Sequence, residues 1–292
     1  MVRRAEPAEA AAIAALLNAD AAARYGEADL TAAAVKDWFG LDDVELLVVA
    51  GEDRLVAYGD VQRSPDRSKL WLDVHEHPAH PGAAAPLWPE LERAGGRGAS
   101  ARAILSSRDE SLRRQVEERG YRPLRSSFRM AIELDGVPPE VELPAGIAVR
   151  PMRPGEEGRV HEAHMAAFAD HWDFEPHPYG RWAQFSLGEG FDPSLWFLAE
   201  AGDELAGIAI CRMHQSGDPR RGWVGVLGVL PAHRRRGLGE ALLRHSFGAF
   251  AARGCDRVEL GVDAENTTGA VKLYERAGMH VSRRYDTYER RL

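Results

Sequence analysis

The sequence predicts an α/β (α+β) protein made of two copies of one fold. Three observations lead there. The chain has 292 residues, about twice the roughly 150 residues of a typical domain. Short stretches recur along it in the same order at slowly growing offsets. Within each half, β-branched or aromatic strand-like runs alternate with Ala-, Leu- and Arg-rich helical ones.

The repeat opens with Val2-Arg3-Arg4-Ala5-Glu6-Pro7-Ala8-Glu9, which returns as Val149-Arg150-Pro151-Met152-Arg153-Pro154-Gly155-Glu156 at an offset of 147. Each copy reads as a short strand that turns into a helix where carboxylates suit a helix N-terminus, at Glu9 and at Glu156 and Glu157. The apolar run Leu46-Leu47-Val48-Val49 followed by Gly51-Glu52-Asp53-Arg54-Leu55 reads as a β-hairpin. Its counterpart is Trp196-Phe197-Leu198 followed by Gly202-Asp203-Glu204-Leu205, with Leu55 and Leu205 offset by 150. Pro78-Ala79-His80 matches Pro231-Ala232-His233 at 153, and Gly120 matches Gly278 at 158. Offsets that drift upward in order are what a duplication with small insertions leaves. Between the copies, Asp135-Gly136-Val137-Pro138-Pro139-Glu140, then Pro144 and Gly146, reads as a linker, because Pro and Gly punctuate it. The expected domains are therefore 1–134 and 147–292, joined by 135–146.

Composition narrows the function. Hydrophobic residues make up 45% and charged residues 28%, enough for packed cores. Asp and Glu number 45 against 37 Lys and Arg, a net charge of -8, so neither nucleic acid nor an anionic membrane is expected as a partner. Only Lys36, Lys69 and Lys272 are lysines, which leaves 34 arginines and reads as the codon bias of a GC-rich genome. Cys211 and Cys255 cannot form a disulfide framework and suit a reducing, cytoplasmic setting. The uninterrupted apolar run near the start, Ala10 to Leu17, is too short to span a bilayer. His75, His77 and His80 with Asp73, and His161-x-x-His164, have no matching ligand set elsewhere, so no metal is expected.

The stretch from Trp223 to Leu243 carries the chemistry. Residues 223–230 read as an apolar strand closed by Pro231, which cannot donate to a sheet. A basic loop follows, His233-Arg234-Arg235-Arg236, then Gly237-Leu238-Gly239-Glu240 opening an amphipathic helix with Ala241, Leu242, Leu243 and Phe247 on its apolar side. Glycines let backbone N–H groups converge at a helix N-terminus, and arginines add charge for phosphate. Together they read as a pyrophosphate cradle. It is neither a P-loop nor a dinucleotide fingerprint, since no Gly-Lys-Ser/Thr and no Gly-x-Gly-x-x-Gly occurs there.

Arg234-x-x-Gly237-x-Gly239 after Leu227-Gly228-Val229-Leu230-Pro231 resembles the acetyl-CoA signature of the GCN5-related N-acetyltransferase (GNAT) superfamily. Downstream, Val262-Asp263-Ala264-Glu265-Asn266-Thr267-Thr268-Gly269-Ala270-Val271-Lys272-Leu273-Tyr274-Glu275-Arg276-Ala277-Gly278-Met279 is similar to the next motif of that superfamily. The likeness is strong over 196–292, weaker over 147–195, and rests on the repeat in the first half. It implies two tandem GNAT-like domains, each a mixed, mostly antiparallel sheet flanked by helices. It also implies an acyltransferase that moves an acetyl group from acetyl-CoA to a primary amine of a small-molecule acceptor. Backbone groups of Leu227, Gly228 and Val229 would hold the pantetheine arm and polarise the thioester carbonyl. Arg234, Arg235, Arg236, Gly237, Leu238, Gly239 and Glu240 would hold the phosphates. Asn266 would order its loop, touch CoA or simply occupy a turn. Tyr274 would protonate the leaving thiolate, the alternative being a helix aromatic packed beside Ala270 and Leu273.

A general base is not legible. Many members place a carboxylate on the strand matching 222–229, and this chain has none there. His171, Asp173 and Glu175, within the aromatic and acidic run from Phe168 to Trp182, Glu259 on the next strand, and water remain as candidates. Carried into the first copy at an offset of 153, Arg234, Gly237 and Gly239 fall on Pro81, Ala84 and Pro86, and at 158 Tyr274 falls on Val116. Prolines remove the donors that phosphates need. The first domain is thus expected to keep the fold without catalysis, as a wall of the acceptor cleft or as a built-in dimer partner, and the protein to be a monomeric pseudo-dimer or a homodimer. Two other readings stay open: an acyl-CoA sensor without turnover, and a structural pseudo-dimer with no ligand. The sequence leaves the acceptor, the acyl-chain preference and any ligand of the first domain unassigned.

Overall fold

The computed structural model describes residues 1–136, 142–188, 190–214, 216–266 and 268–292. Residues 137–141 of the linker, and Thr267 of the second motif, lie outside them. The chain forms two compact units. One comprises Met1–Ser127, residues 216–217 and Arg283–Leu292; the other comprises Phe128–His214 and Asp218–Ser282.

The first unit runs β1 (Val2–Arg4), α1 (Ala10–Tyr25), α2 (Ala32–Trp38), β2 (Val44–Ala50), β3 (Leu55–Arg63), β4 (Lys69–Glu76), α3 (Leu87–Glu92), β5 (Ser100–Ser106) and α4 (Glu110–Glu118). The next strand, β6 (Arg122–Glu133), begins in this unit and ends in the second. The second unit continues with β7 (Ile147–Pro151), α5 (Glu157–Phe168), α6 (Tyr179–Ser186), β8 (Trp196–Ala201), β9 (Glu204–Met213), β10 (Arg221–Val229), α7 (Leu238–Ala251), β11 (Arg257–Asp263) and α8 (Ala270–Arg276). The last strand, β12 (His280–Arg291), has all but its first residues in the first unit, where it pairs antiparallel with β5.

Both units follow one pairing plan. In the first, β1, β2, β3 and β4 pair antiparallel in sequence order and β4 then pairs parallel with β5. In the second, β7, β8, β9 and β10 do the same and β10 pairs parallel with β11. The mixed, mostly antiparallel sheet expected from the sequence is what each unit contains. Even the opening side chains repeat. Arg3 pairs with Glu9 at 2.6 Å and Arg150 pairs with Glu156 at 2.7 Å. The Glu6 N–H donates to the Glu9 carboxylate at 3.0 Å and the Arg153 N–H to the Glu156 carboxylate at 2.8 Å. Each glutamate thereby satisfies a backbone donor exposed where strand gives way to helix.

Each sheet is covered on both faces. In the first unit, Leu70, Leu72 and Val74 of β4 pack with Leu87, Trp88 and Leu112 of α3 and α4, while Leu46, Val48 and Tyr58 pack with Ile13, Leu16 and Leu17 of α1. In the second, Leu238, Leu242, Phe247 and Phe250 of α7 cover Ala209, Cys211, Val224 and Leu260, and Val160 and Ala163 of α5 with Trp182 of α6 cover Leu198 and Ile208. Among the described residues no helix is long and apolar enough to cross a membrane.

Two polar groups of the first unit are matched by partners within it. Glu76, at the end of β4 and 2% exposed, accepts the N–H groups of Gly82 and Ala84 at 2.9 and 3.3 Å and the Gln115 amide at 3.1 Å. On the opposite face of β4, the imidazole of His75 lies between Asp20 at 2.9 Å and Asp73 at 3.2 Å. Burial opposes its charge, but the two carboxylates outweigh burial and hold its pKa well above 6.5.

Candidate active site

The site grows from a disagreement between two parallel strands of the second unit. The β10–β11 ladder runs from Arg221↔Arg257 to Val224↔Leu260 and stops, although β10 continues to Val229 and β11 to Asp263. At the same point β10 shifts register against β9, between Val224 and Val226. Such a bulge turns a strand away from its neighbour. Below the divergence opens a cavity of about 720 Å³, floored by Val224–Val229 and Leu260–Asp263 and walled by the start of α7, the loop into α8, and the end of α5. Backbone groups of Leu227, Gly228 and Val229 on the side facing β11 are free of that ladder and available to a ligand.

Small residues make the close approaches. A Cβ on Gly228 would stand 2.9 Å from the Ala167 Cβ of α5, and one on Gly207 would stand 2.9 Å from the Gly228 carbonyl oxygen. Gly239 faces Leu273 of α8, 3.2 Å from where its Cβ would be, so α7 and α8 meet beside the cavity. Gly237 takes φ +78° to start α7, a conformation that penalises any other residue.

At the α7 terminus the first-turn N–H groups, on Leu238, Gly239 and Glu240, have no intrahelical acceptor. The first backbone bond of the helix is Ala241 N–H to the Gly237 carbonyl, at 3.0 Å. Arg235 (φ +61°) and Arg236 are exposed at this end and make no hydrogen bond or ion pair among the described residues. Arg234 is placed differently from its neighbours. Its guanidinium binds Asp170 at 2.6 and 3.1 Å, the Ala167 carbonyl at 3.0 Å and the Val229 carbonyl at 3.1 Å, tying the end of α5 to the end of β10. Glu240 accepts Arg244 at 3.1 Å and lies 3.4 Å from Arg276. Among the lining residues to which sequence reasoning gave no role are the charged Lys272, Arg276 and Asp170. The signal for Lys272 was present, since it is one of only three lysines and sits two residues before Tyr274.

Asn266 organises the loop into α8, its Oδ1 accepting Thr268 N–H at 2.8 Å and Ala270 N–H at 3.5 Å. Tyr274 lines the cavity from α8 and is 8% exposed. Its hydroxyl has no partner among the described residues, and burial pushes its pKa up to about 12. Among the proposed bases, His171 alone lines the cavity. Burial holds its imidazole below the ordinary 6.5. Asp173, at φ +55°, and Glu175 lie outside the lining. Glu259 is fully buried on β11 and pairs with Arg221, with Arg257 at 3.1 Å and with His214 at 3.5 Å. Burial alone would raise its pKa, but these cations lower it, fixing the carboxylate as a structural anion. Among the described residues no group of three or more His, Cys, Asp or Glu side chains is arranged to hold a metal.

The matching turn of the first unit is built differently. Gly82, with φ +89°, corresponds at the offset of 153 to Arg235, so the loop keeps its left-handed residue. The N–H groups beside it, however, are taken by the carboxylate of Glu76.

Residues 158–279 match the acetyltransferase (GNAT) family. The chain is 36% identical over 255 residues to a mycothiol acetyltransferase of Kineococcus radiotolerans, spanning 81% of this chain and 75% of that protein. It is 34% identical to a mycothiol acetyltransferase of Salinispora arenicola, over 71% of this chain and 72% of the other. A GCN5-related N-acetyltransferase from Sphaerobacter thermophilus has a crystal structure similar to the whole chain, with a TM-score of 0.80, 34% identity and 95% of that chain covered. A tandem GNAT protein from the clavulanic acid biosynthesis pathway shares the fold at a TM-score of 0.77 and 14% identity, over 100% of this chain and 98% of its own. Two units with one pairing plan, the divergent strands and these relatives place the chain in the acetyltransferase (GNAT) family, as a tandem member.

Proposed function

We propose that the second unit transfers an acetyl group from acetyl-CoA to a primary amine of a small-molecule acceptor by direct attack on the thioester. The observation that carries this reading is the opening between β10 and β11, with an unpaired tyrosine hydroxyl in it and an uncapped helix N-terminus at its rim. The N–H groups of Leu238, Gly239 and Glu240, with Arg235 and Arg236, suit the pyrophosphate. Arg234, engaged by Asp170 and two carbonyls, supports that loop from behind. The backbone of Leu227, Gly228 and Val229 suits the pantetheine amides, and an N–H there would stabilise the oxyanion as the acceptor nitrogen bonds to the carbonyl carbon.

His171, kept neutral by burial, takes the proton released from nitrogen as that bond forms. Tyr274 stays protonated across physiological pH and donates to sulfur as the C–S bond breaks. Burial disfavours the thiolate as well as the phenolate, so the proton transfer does not face the full difference seen in water. The first unit takes no part in this chemistry.

The test is release of free CoA thiol from acetyl-CoA across a panel of amines. Relatives named for mycothiol make thiol-sugar amines the first to try. Tyr274→Phe is expected to lower kcat by at least about 100-fold, in the range of a lost general acid, while acetyl-CoA affinity measured by calorimetry stays within about twofold. Unchanged turnover would remove Tyr274 from the mechanism. Binding of acetyl-CoA without thiol release for any amine would favour a sensor, and no binding would leave only a scaffold.

A further inference from the structure

The face of the second unit's sheet turned toward α5 and α6 carries Ile208 and Ile210 of β9 in an apolar cluster. Side chains alternate along a strand, so Arg212, two residues after Ile210, stands on that same face. Its partner across the ladder is Trp223 of β10. Trp223 in turn stands beside two glycines of the cavity wall without itself lining it. Its indole Nε1 lies 3.6 Å from where a Gly225 Cβ would be and its Cζ2 4.0 Å from where a Gly261 Cβ would be, and both glycines line the cavity. Arg212 therefore sits one side chain away from the place where the strands part, on the side opposite α7.

The guanidinium of Arg212 is unlike the other cations around it. Arg221 and Arg257 neutralise Glu259, Arg234 pairs with Asp170, and Arg129 lies over the Trp223 ring at 5.4 Å. Arg212 is largely withdrawn from water, yet it has no hydrogen bond or carboxylate among the described residues. A desolvated charge without a partner is costly, and chains retain one where something else supplies the partner. The planar fork of a guanidinium matches a carboxylate in two parallel hydrogen bonds.

We propose that Arg212 reads a carboxylate on the acceptor, so that the acceptor is an amine that also carries a carboxylate group. The proposal rests on the acetyl-transfer reading above and refines its substrate class. Trp223 forms the apolar surface over which the acceptor lies between its two polar ends. Arg212 is a specificity residue; it does not touch the reacting atoms.

The experiment uses the full chain saturated with CoA and a series of ω-amino acids of increasing length, each beside its primary amide. Calorimetric binding is read first, then CoA thiol release with acetyl-CoA. The expected result is a preference of at least tenfold for one or more carboxylates over the matching amide. Arg212→Gln is expected to abolish that preference, chiefly through KM, and Arg212→Lys to restore part of it. The Arg212→Gln protein should unfold at the same temperature or higher, because it loses a charge that the unliganded fold does not satisfy; a structural arginine would give a clear drop. Equal binding of acids and amides to the unaltered protein, or no binding of either, overturns the proposal. Carboxylate binding that depends on Arg212 without any thiol release keeps the anion site and removes the transferase reading.

Discussion

At the scale of single residues, environment separates the two groups to which the proposal gives roles. Tyr274 and His171 face one cavity, and burial acts on them in opposite directions, raising the phenol and lowering the imidazole. A base with a pKa below 6.5 is still unprotonated in mildly acid solution. The acid limb of kcat/KM that belongs to the enzyme is therefore expected below pH 6.5, and His171→Gln should remove that limb and lower kcat/KM by at least about tenfold. A limb that persists unchanged in the variant would point to another base. Tyr274 was legible because a tyrosine on a helix closing with glycine lies inside a contiguous motif. The choice between His171 and Glu259 was not. It depends on Arg221, which joins Arg257 of the same strand at Glu259 only once β10 and β11 are side by side. Arg234 shows the same limit: three consecutive arginines read alike in sequence, and Asp170 at the end of α5 separates one from the others.

At the scale of elements, the start of α7 is where local sequence and site coincide. Gly237 at φ +78° lets the chain enter the helix with its first N–H groups pointing outward. Gly237→Ala is expected to cost about 1 kcal/mol in stability and to weaken acetyl-CoA binding by about tenfold or more, as measured by chemical denaturation and calorimetry. The expected stability loss with binding intact would mean that the turn serves only the fold. The strand and helix runs of both halves, the hairpins and the basic loop were readable because each depends on neighbours in sequence. The parting of β10 from β11 was not, since nothing in an apolar run of Val, Gly and Leu marks where pairing stops. The shift between Val224 and Val226, beside exposed Gly225, is a tertiary decision.

At the scale of the whole molecule, duplication preserved a fold and let two sites drift apart. The first unit keeps the pairing plan and the opening Arg–Glu pair but holds a cluster of its own around His75. The pKa of that imidazole is raised on folding, so its contribution to stability is present below about pH 6.5 and is lost as pH rises through the higher native value. Denaturation across pH 6 to 10 should therefore show this unit losing stability on the alkaline side, and His75→Gln should flatten the loss. An unchanged slope would show that the pKa of this imidazole is not raised on folding. The repeat made the difference between the two turns legible as a loss of arginines and glycines. What took their place was not, because Glu76 reads as one more charged residue at the end of a strand.

Glu76 has a consequence for how the two halves respond to metabolism. By presenting its own carboxylate to the N–H groups of Gly82 and Ala84, the first unit has made permanent what, on the proposed function, the second would receive only from solution. A fold whose turn is filled by a side chain is indifferent to the supply of any metabolite. A turn left open is held more firmly as its ligand accumulates, by RT ln(1 + [L]/Kd). If the second unit binds acetyl-CoA as proposed, it becomes the softer half when that donor is scarce, more exposed to local opening and to proteases, while the filled turn of the first keeps its partner. One gene would thus encode a constant half and a half whose lifetime follows the acetyl supply of the cell.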